Sequence, residues 1–113
     1  MGWADLYSTE LLEGKTIQFR PTGGSMRGKI ESGQLCTLIP ICADTSLSIG
    51  DIVLCRVKGS VYLHLIKSIQ NIQQTREDEV ITWIEYLIGN NKGRINGWVT
   101  RNTIYGKCIK VEN

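Results

Sequence analysis

Ser25 follows two adjacent glycines in the run Phe19-Arg20-Pro21-Thr22-Gly23-Gly24-Ser25-Met26. Paired glycines open backbone conformations closed to other residues, so the serine can stand clear with N–H groups turned toward a docked molecule. That is the layout of a nucleophile beside an oxyanion hole. It is equally the layout of an ordinary glycine turn that contains a serine. The chain holds one histidine, His64. A histidine with the ordinary pKa of about 6.5 is mostly neutral at pH 7 and can take a proton from a serine hydroxyl. Were the two to meet, the chemistry would be acyl transfer. On strand alternation, however, His64 shares a face with Tyr62 and Ile66, where an isolated histidine is more often a filler than a catalyst.

The elements around these residues read as short strands. Thr16 to Arg20 alternates, with Ile17 and Phe19 on one face. Leu35 to Ile41 is a strand ended or bulged by Pro40. Residues 50–57 make a turn and a strand, Lys58-Gly59-Ser60 a hairpin turn, and Val61 to Ile66 the returning strand, continued by Ile69 to Gln73. Gln74 to Glu79 reads as a polar turn and Val80 to Ile88 as a long strand. Gly89 to Gly97 is a glycine- and asparagine-rich loop, and Trp98-Val99 and Ile104 to Val111 close the chain with strand character. Residues 3–13 predict one short helix, with Trp3, Leu6, Tyr7 and Leu11 at helical spacing and Gly14 past its end. The expected fold is mostly β, a coiled sheet or partly open barrel with one short N-terminal helix, whose role is a lid over one end.

The 113 residues form a single domain, 1–113, and the 42% hydrophobic content is enough for a modest core. A net charge of +2 is too weak to argue for nucleic acid or an anionic membrane. There is no apolar run of membrane-span length, and the first residues lack the pattern of a signal peptide. Cys36, Cys42, Cys55 and Cys108 show no C-x-x-C spacing, so neither zinc nor another cofactor is expected. Cys36 and Cys55 fall inside apolar strands and read as buried thiols of a reducing, cytoplasmic environment.

The order of motifs carries more than any one of them. Gly23-Gly24-Ser25-Met26 is followed by Gly50-Asp51-Ile52-Val53, an apolar strand, a turn, and a returning strand that bears His64. Gly89-Asn90-Asn91-Lys92, Gly97-Trp98-Val99-Thr100 and Ile104-Tyr105-Gly106-Lys107 then close the chain. This order resembles the superfamily of LexA-like self-cleaving repressors and signal peptidases, from about residue 16 to residue 111. The resemblance implies a mostly-β peptidase with a serine dyad whose base is lysine in most members and histidine in some. It puts Ser25 at the nucleophile position and His64 at the base position. It further implies that Gly24 and Met26 serve the oxyanion or the substrate. Lys67 lies three residues beyond His64, on the opposite face of a regular strand, and would enter the site only if a bulge shifted the register.

The sequence departs from that pattern at Gly28, where proline is common, and at Gln34 and Asn90, where aspartates are common. A later Asp-Ser-Arg element and a membrane anchor are also missing. With the acids gone, Asn90 or a backbone carbonyl is left to orient the imidazole. Asn90, Asn91 and Asn96 otherwise read as residues that satisfy loop backbone. Met26 reads equally as pocket wall or loop anchor, Trp98 as a barrel plug more than a peptide-stacking wall, and Lys92, Arg94 and Arg101 as a small solvated basic cluster. A self-cleaving repressor is not expected, because the 24 residues before Ser25 hold no Ala-Gly or Cys-Gly pair. The expectation is a small serine endopeptidase using Ser25 and His64 on a peptide or protein substrate, with homodimerisation left open. The rival is a LexA-like binding or dimerisation module without turnover, and a weaker rival is a nucleic-acid-binding β module.

Overall fold

The computed structural model describes residues 2–113. Helix α1 spans Asp5–Leu12, and seven strands follow: β1 Ile17–Phe19, β2 Leu35–Pro40, β3 Ile52–Val57, β4 Ser60–Arg76, β5 Glu79–Gly89, β6 Ile95–Thr100 and β7 Ile104–Glu112. They form one antiparallel sheet in the order β1-β2-β7-β3-β4-β5-β6, so the last strand inserts between β2 and β3. The mostly-β expectation with one short N-terminal helix holds. The sheet stays open, with β1 and β6 as its two ends.

The sheet buries both faces. On one, Phe19, Cys36, Leu38, Leu54, Leu63 and Leu65 meet Leu11 of α1 and Met26 and Ile30 of the serine loop. On the other, Val53, Cys55, Val57, Ile66, Ile88, Val99 and Ile104 pack together. β3 shows the alternation directly: Leu54 faces the first cluster, while Val53, Cys55 and Val57 face the second. The sheet coils enough for β6 to cross over β3, where a Cβ on Gly97 would stand 3.3 Å from Val57 Cγ1. The 41–49 segment closes the second face. Arg101 Nη2 donates to the carbonyls of Cys42 and Thr45 at 2.6 Å each, and Lys107 Nζ donates to that of Ser46 at 3.0 Å. Cys36 and Cys55 are fully buried free thiols, as their apolar settings suggested, and burial pushes each up to about 12.

α1 is shorter than the 3–13 expected, and its inward face is narrower. Leu11 and Ser8 are buried, Tyr7 stacks on Phe19 at 4.5 Å, and Leu6 stays exposed. The helix closes as foreseen at Gly14. Its N–H donates to Leu11 O and that of Lys15 to Glu10 O, with Gly14 at φ 86 in the left-handed region. Gly106 lets the helix sit down on β7: a Cβ there would come within 2.7 Å of Leu11 Cδ1.

Two tight hairpins set the register of the central strands. Lys58 and Gly59 join β3 to β4, and Glu77 and Asp78 join β4 to β5; all four have positive φ, the geometry that suits the strand twist. The polar turn expected over 74–79 is therefore only two residues, and β4 and β5 run on to either side of it. Past Leu65, β4 loses β3 as a partner, and β5 pairs with β6 only from Glu85 to Gly89. The outer part of the hairpin is a two-stranded ribbon, and the molecule measures 53 × 32 × 27 Å. No helix of the described residues is long and apolar enough to cross a membrane.

Candidate active site

The serine loop, residues 20–34, is closed at its base by Gly33 N–H donating to Pro21 O at 2.9 Å and Arg20 Nη1 donating to Gly33 O at 2.8 Å. Inside it a helical turn forms, with the N–H groups of Lys29 and Ile30 both donating to Met26 O. Met26 and Ile30 are 5% and 4% exposed and anchor the turn in the core, which leaves Ser25 exposed beside them. The 90–94 loop clamps it from the side: Asn91 N–H donates to Ser25 O at 3.0 Å, and Asn91 Nδ2 donates to Arg27 O at 2.8 Å. Among the described residues, the N–H groups of Gly24, Ser25 and Met26 donate to no protein acceptor.

Ser25 and His64 line one cleft of about 290 Å³, together with Trp3, Met26, Ile30 and Val61 to Leu63. The cleft follows the stretch of β4 that has β3 on one side and no strand on the other, since pairing with β5 starts only at Leu65. Met26 is thus both loop anchor and cleft wall. Gly23, at φ 103, lines the cleft, whereas Gly24 backs the loop and accepts from Arg27 N–H at 3.2 Å. Among the described residues, no side-chain hydrogen bond joins Ser25 to His64.

His64 is 7% exposed, with its ring stacked on Tyr62 at 4.9 Å. Its Nδ1 lies 2.7 Å from Asn96 Oδ1. An amide oxygen only accepts, so Nδ1 carries the proton and Nε2 keeps a lone pair. Burial lowers the His64 pKa below the ordinary histidine value. The Asn96 hydrogen bond opposes this, and the charges of Arg94 and Lys67 add to it. The neutral, singly oriented imidazole is the form a general base requires.

The orienting residue differs from the one expected. Asn90 is buried, but its Oδ1 already accepts the N–H groups of Lys92 at 2.8 Å and Arg94 at 2.9 Å, so it shapes the loop and leaves His64 alone. Asn96 takes the role because β6 carries a bulge: Ile88 pairs with Gly97 and Gly89 with Ile95, leaving Asn96 as the extra residue. A second bulge lies across β5. Ile66 pairs with Ile88 and Ser68 with Leu87, so Lys67 is left over on β4 and the regular alternation breaks there. Gly89 sits between the two, where a Cβ would meet Arg94 O at 2.5 Å, Ile95 Cδ1 at 3.1 Å and Lys67 Cγ at 3.2 Å.

Other expectations resolve plainly. Trp98 is 41% exposed and lies away from the cleft, neither plug nor wall. Trp3, given only a place in the helix by its spacing, stands before α1, 57% exposed, and forms a cleft wall against Tyr7 and Phe19. The basic cluster divides, because Arg101 is spent on the 41–49 segment while Lys92 and Arg94 stay on the site's loop. No local signal could have found Asn96, whose partner is 32 residues away across two strands. Comparison with protein families, with curated proteins and with solved structures finds no match to this chain.

Proposed function

We propose that this chain is a serine peptidase acting on a peptide or protein substrate in the cytoplasm. Ser25 Oγ attacks the peptide carbonyl while His64 Nε2 takes the hydroxyl proton. His64 then gives that proton to the leaving amine as the C–N bond breaks, and a water activated by His64 hydrolyses the acyl-enzyme. The unpaired N–H groups around Ser25 are the candidates for holding the oxyanion. Asn96 is a positioning residue, fixing the tautomer that leaves Nε2 free. The observation that carries the reading is an exposed serine and a buried, neutral, amide-oriented histidine on one cleft. The motif order that resembles signal peptidases and LexA-like proteins adds to it. A binding module without turnover is the second reading, favoured by the lack of a Ser25–His64 hydrogen bond.

The test combines a fluorophosphonate probe with peptide-library cleavage read by mass spectrometry. The wild-type chain should label and cleave, and Ser25→Ala and His64→Ala should do neither. Because a base works only when neutral, activity should fall as pH drops through the His64 pKa, with a midpoint below 6.5. Labelling that survives in Ser25→Ala, or a wild type that neither labels nor cleaves, sinks the peptidase reading.

A further inference from the structure

A second hollow, of about 320 Å³, opens beside the cleft of Ser25 and His64. It is lined by Trp3, Tyr7, Phe19, Arg20, Pro21 and Thr22. Trp3, Pro21 and Thr22 line both spaces, so the two adjoin across a shared wall. Thr22 lies three positions before Ser25, and three residues span at most about 11 Å. A peptide extended from Ser25 therefore reaches the hollow within a few residues.

The walls are aromatic rings that hold one another in place. Tyr7 stacks on Phe19 with centroids 4.5 Å apart, and Trp3 meets Phe19 at 5.6 Å and Tyr7 at 6.3 Å. Phe19 belongs to the core and ties the group to the sheet, whereas Trp3 is 57% exposed and keeps more than half of its surface for an incoming group to cover. Arg20 adds one cation to the same walls. Its Nη1 donates to Gly33 O at 2.8 Å, which fixes the guanidinium without neutralising it, and none of the salt bridges among the described residues includes Arg20. Among the described residues no carboxylate lines the hollow.

We infer that this hollow is a specificity subsite of the cleft, taking a phenylalanine or tyrosine side chain of the bound peptide against the Trp3 ring and the Arg20 guanidinium. The inference rests on the peptidase reading for the chemistry at Ser25, and on the hollow itself for the binding of the ring. Aromatic rings at these spacings attract a further ring beyond what its buried area supplies. A guanidinium is drawn to a ring face and gains nothing comparable from an aliphatic chain. The same cation rejects a lysine or arginine side chain. The volume is at the lower end for ligand sites, which suits one side chain better than a whole small molecule.

The experiment titrates the isotopically labelled full-length chain with the N-acetyl amides of phenylalanine, leucine and proline and follows the tryptophan indole N–H signals by NMR. Of the three tryptophans, Trp83 and Trp98 line neither space and serve as internal controls. The phenylalanine amide should move the Trp3 signal, identified by its loss in Trp3→Leu, and leave the other two in place. It should bind about two- to tenfold tighter than the leucine amide, the margin that aromatic pairing adds. Arg20→Gln should weaken the phenylalanine amide by about two- to fivefold and spare the leucine amide. An unmoved Trp3 signal, equal shifts at Trp83 and Trp98, or a leucine or proline amide that binds as tightly overturns the inference. So does an Arg20→Gln chain in which both amides change equally or neither changes. The wild type is treated with the fluorophosphonate probe and the peptide library in parallel. A selective Trp3 response without labelling or cleavage would retain the subsite and discard the peptidase chemistry. Cleavage with no phenylalanine or tyrosine enriched within a few residues of the cut bond would do the reverse.

Discussion

Strand β4 meets two different environments along its length. From Ser60 to His64 it lies between β3 and the cleft, β5 joins it at Leu65, and Leu63, His64, Leu65 and Ile66 are all buried. From Lys67 to Arg76 its one partner is β5, half of its residues are exposed and none is buried. The change comes at the Lys67 bulge, the same place where β3 ends and the β6 bulge presents Asn96. Both stretches are strand by propensity and pairing, yet one builds a candidate site and the other a solvated ribbon. Neighbouring layers make that difference: packing removes water from around His64 and holds its pKa below the ordinary histidine value.

Substitutions at four positions break or sharpen this contrast. Ile66→Ala, on the buried side of the bulge at 1% exposure, should cost about 2–5 kcal/mol in urea unfolding, as cavity formation in a core does. A cost below about 1 kcal/mol would remove the claim that the first half of β4 is held by packing. Gly89→Ala forces a Cβ against the Arg94 carbonyl and should cost about 1–3 kcal/mol, the usual range for overpacking. If the two bulges depend on Gly89, activity must fall with stability in this variant; unchanged activity would separate the bulges from the site.

Asn96→Ala leaves the buried His64 Nδ1–H without its acceptor, a loss of about 1–3 kcal/mol, or roughly ten- to hundredfold in kcat/KM. Asn96→Asp distinguishes positioning from simple support. A carboxylate there favours the charged imidazole, so the acid limb of the pH profile should move upward, and an unmoved limb would deny Asn96 its role. The smallest effect belongs to the ribbon. Ile84→Ser, at a position 44% exposed, should change stability by less than about 0.5 kcal/mol, and a larger loss would mean that the ribbon is packed in solution.

Much of the fold was legible because its signals are local. Alternation located β1, β2, β3 and β7 to within a residue or two, and Lys58-Gly59 marked its hairpin through the positive φ that glycine accepts. The Glu77-Asp78 turn was read too broadly, because neither residue advertises the left-handed backbone it adopts. β6 was read too late for a related reason. Asn91, Gly93, Asn96 and Gly97 have loop chemistry, yet Ile95 to Gly97 are drawn into the sheet by pairing with β5.

The sequence by itself determined a mostly-β chain with one short helix, buried thiols at Cys36 and Cys55, and the pairing of Ser25 with His64 as the candidate chemistry. Tertiary structure alone decided that Asn96 and not Asn90 holds the imidazole, that Lys67 is left over at a bulge on β4, and that Trp3 walls the cleft. The reason lies in range. Turn chemistry and alternation act between residues a few positions apart, and they are written in neighbouring letters. A bulge arises where two strands of unequal length must match across a third, and that is settled only when the whole sheet closes on its cores. Ser25 and His64 could be named from the resemblance that the order of motifs carries; the residue that orients the His64 ring depended on which side of β5 the chain returned.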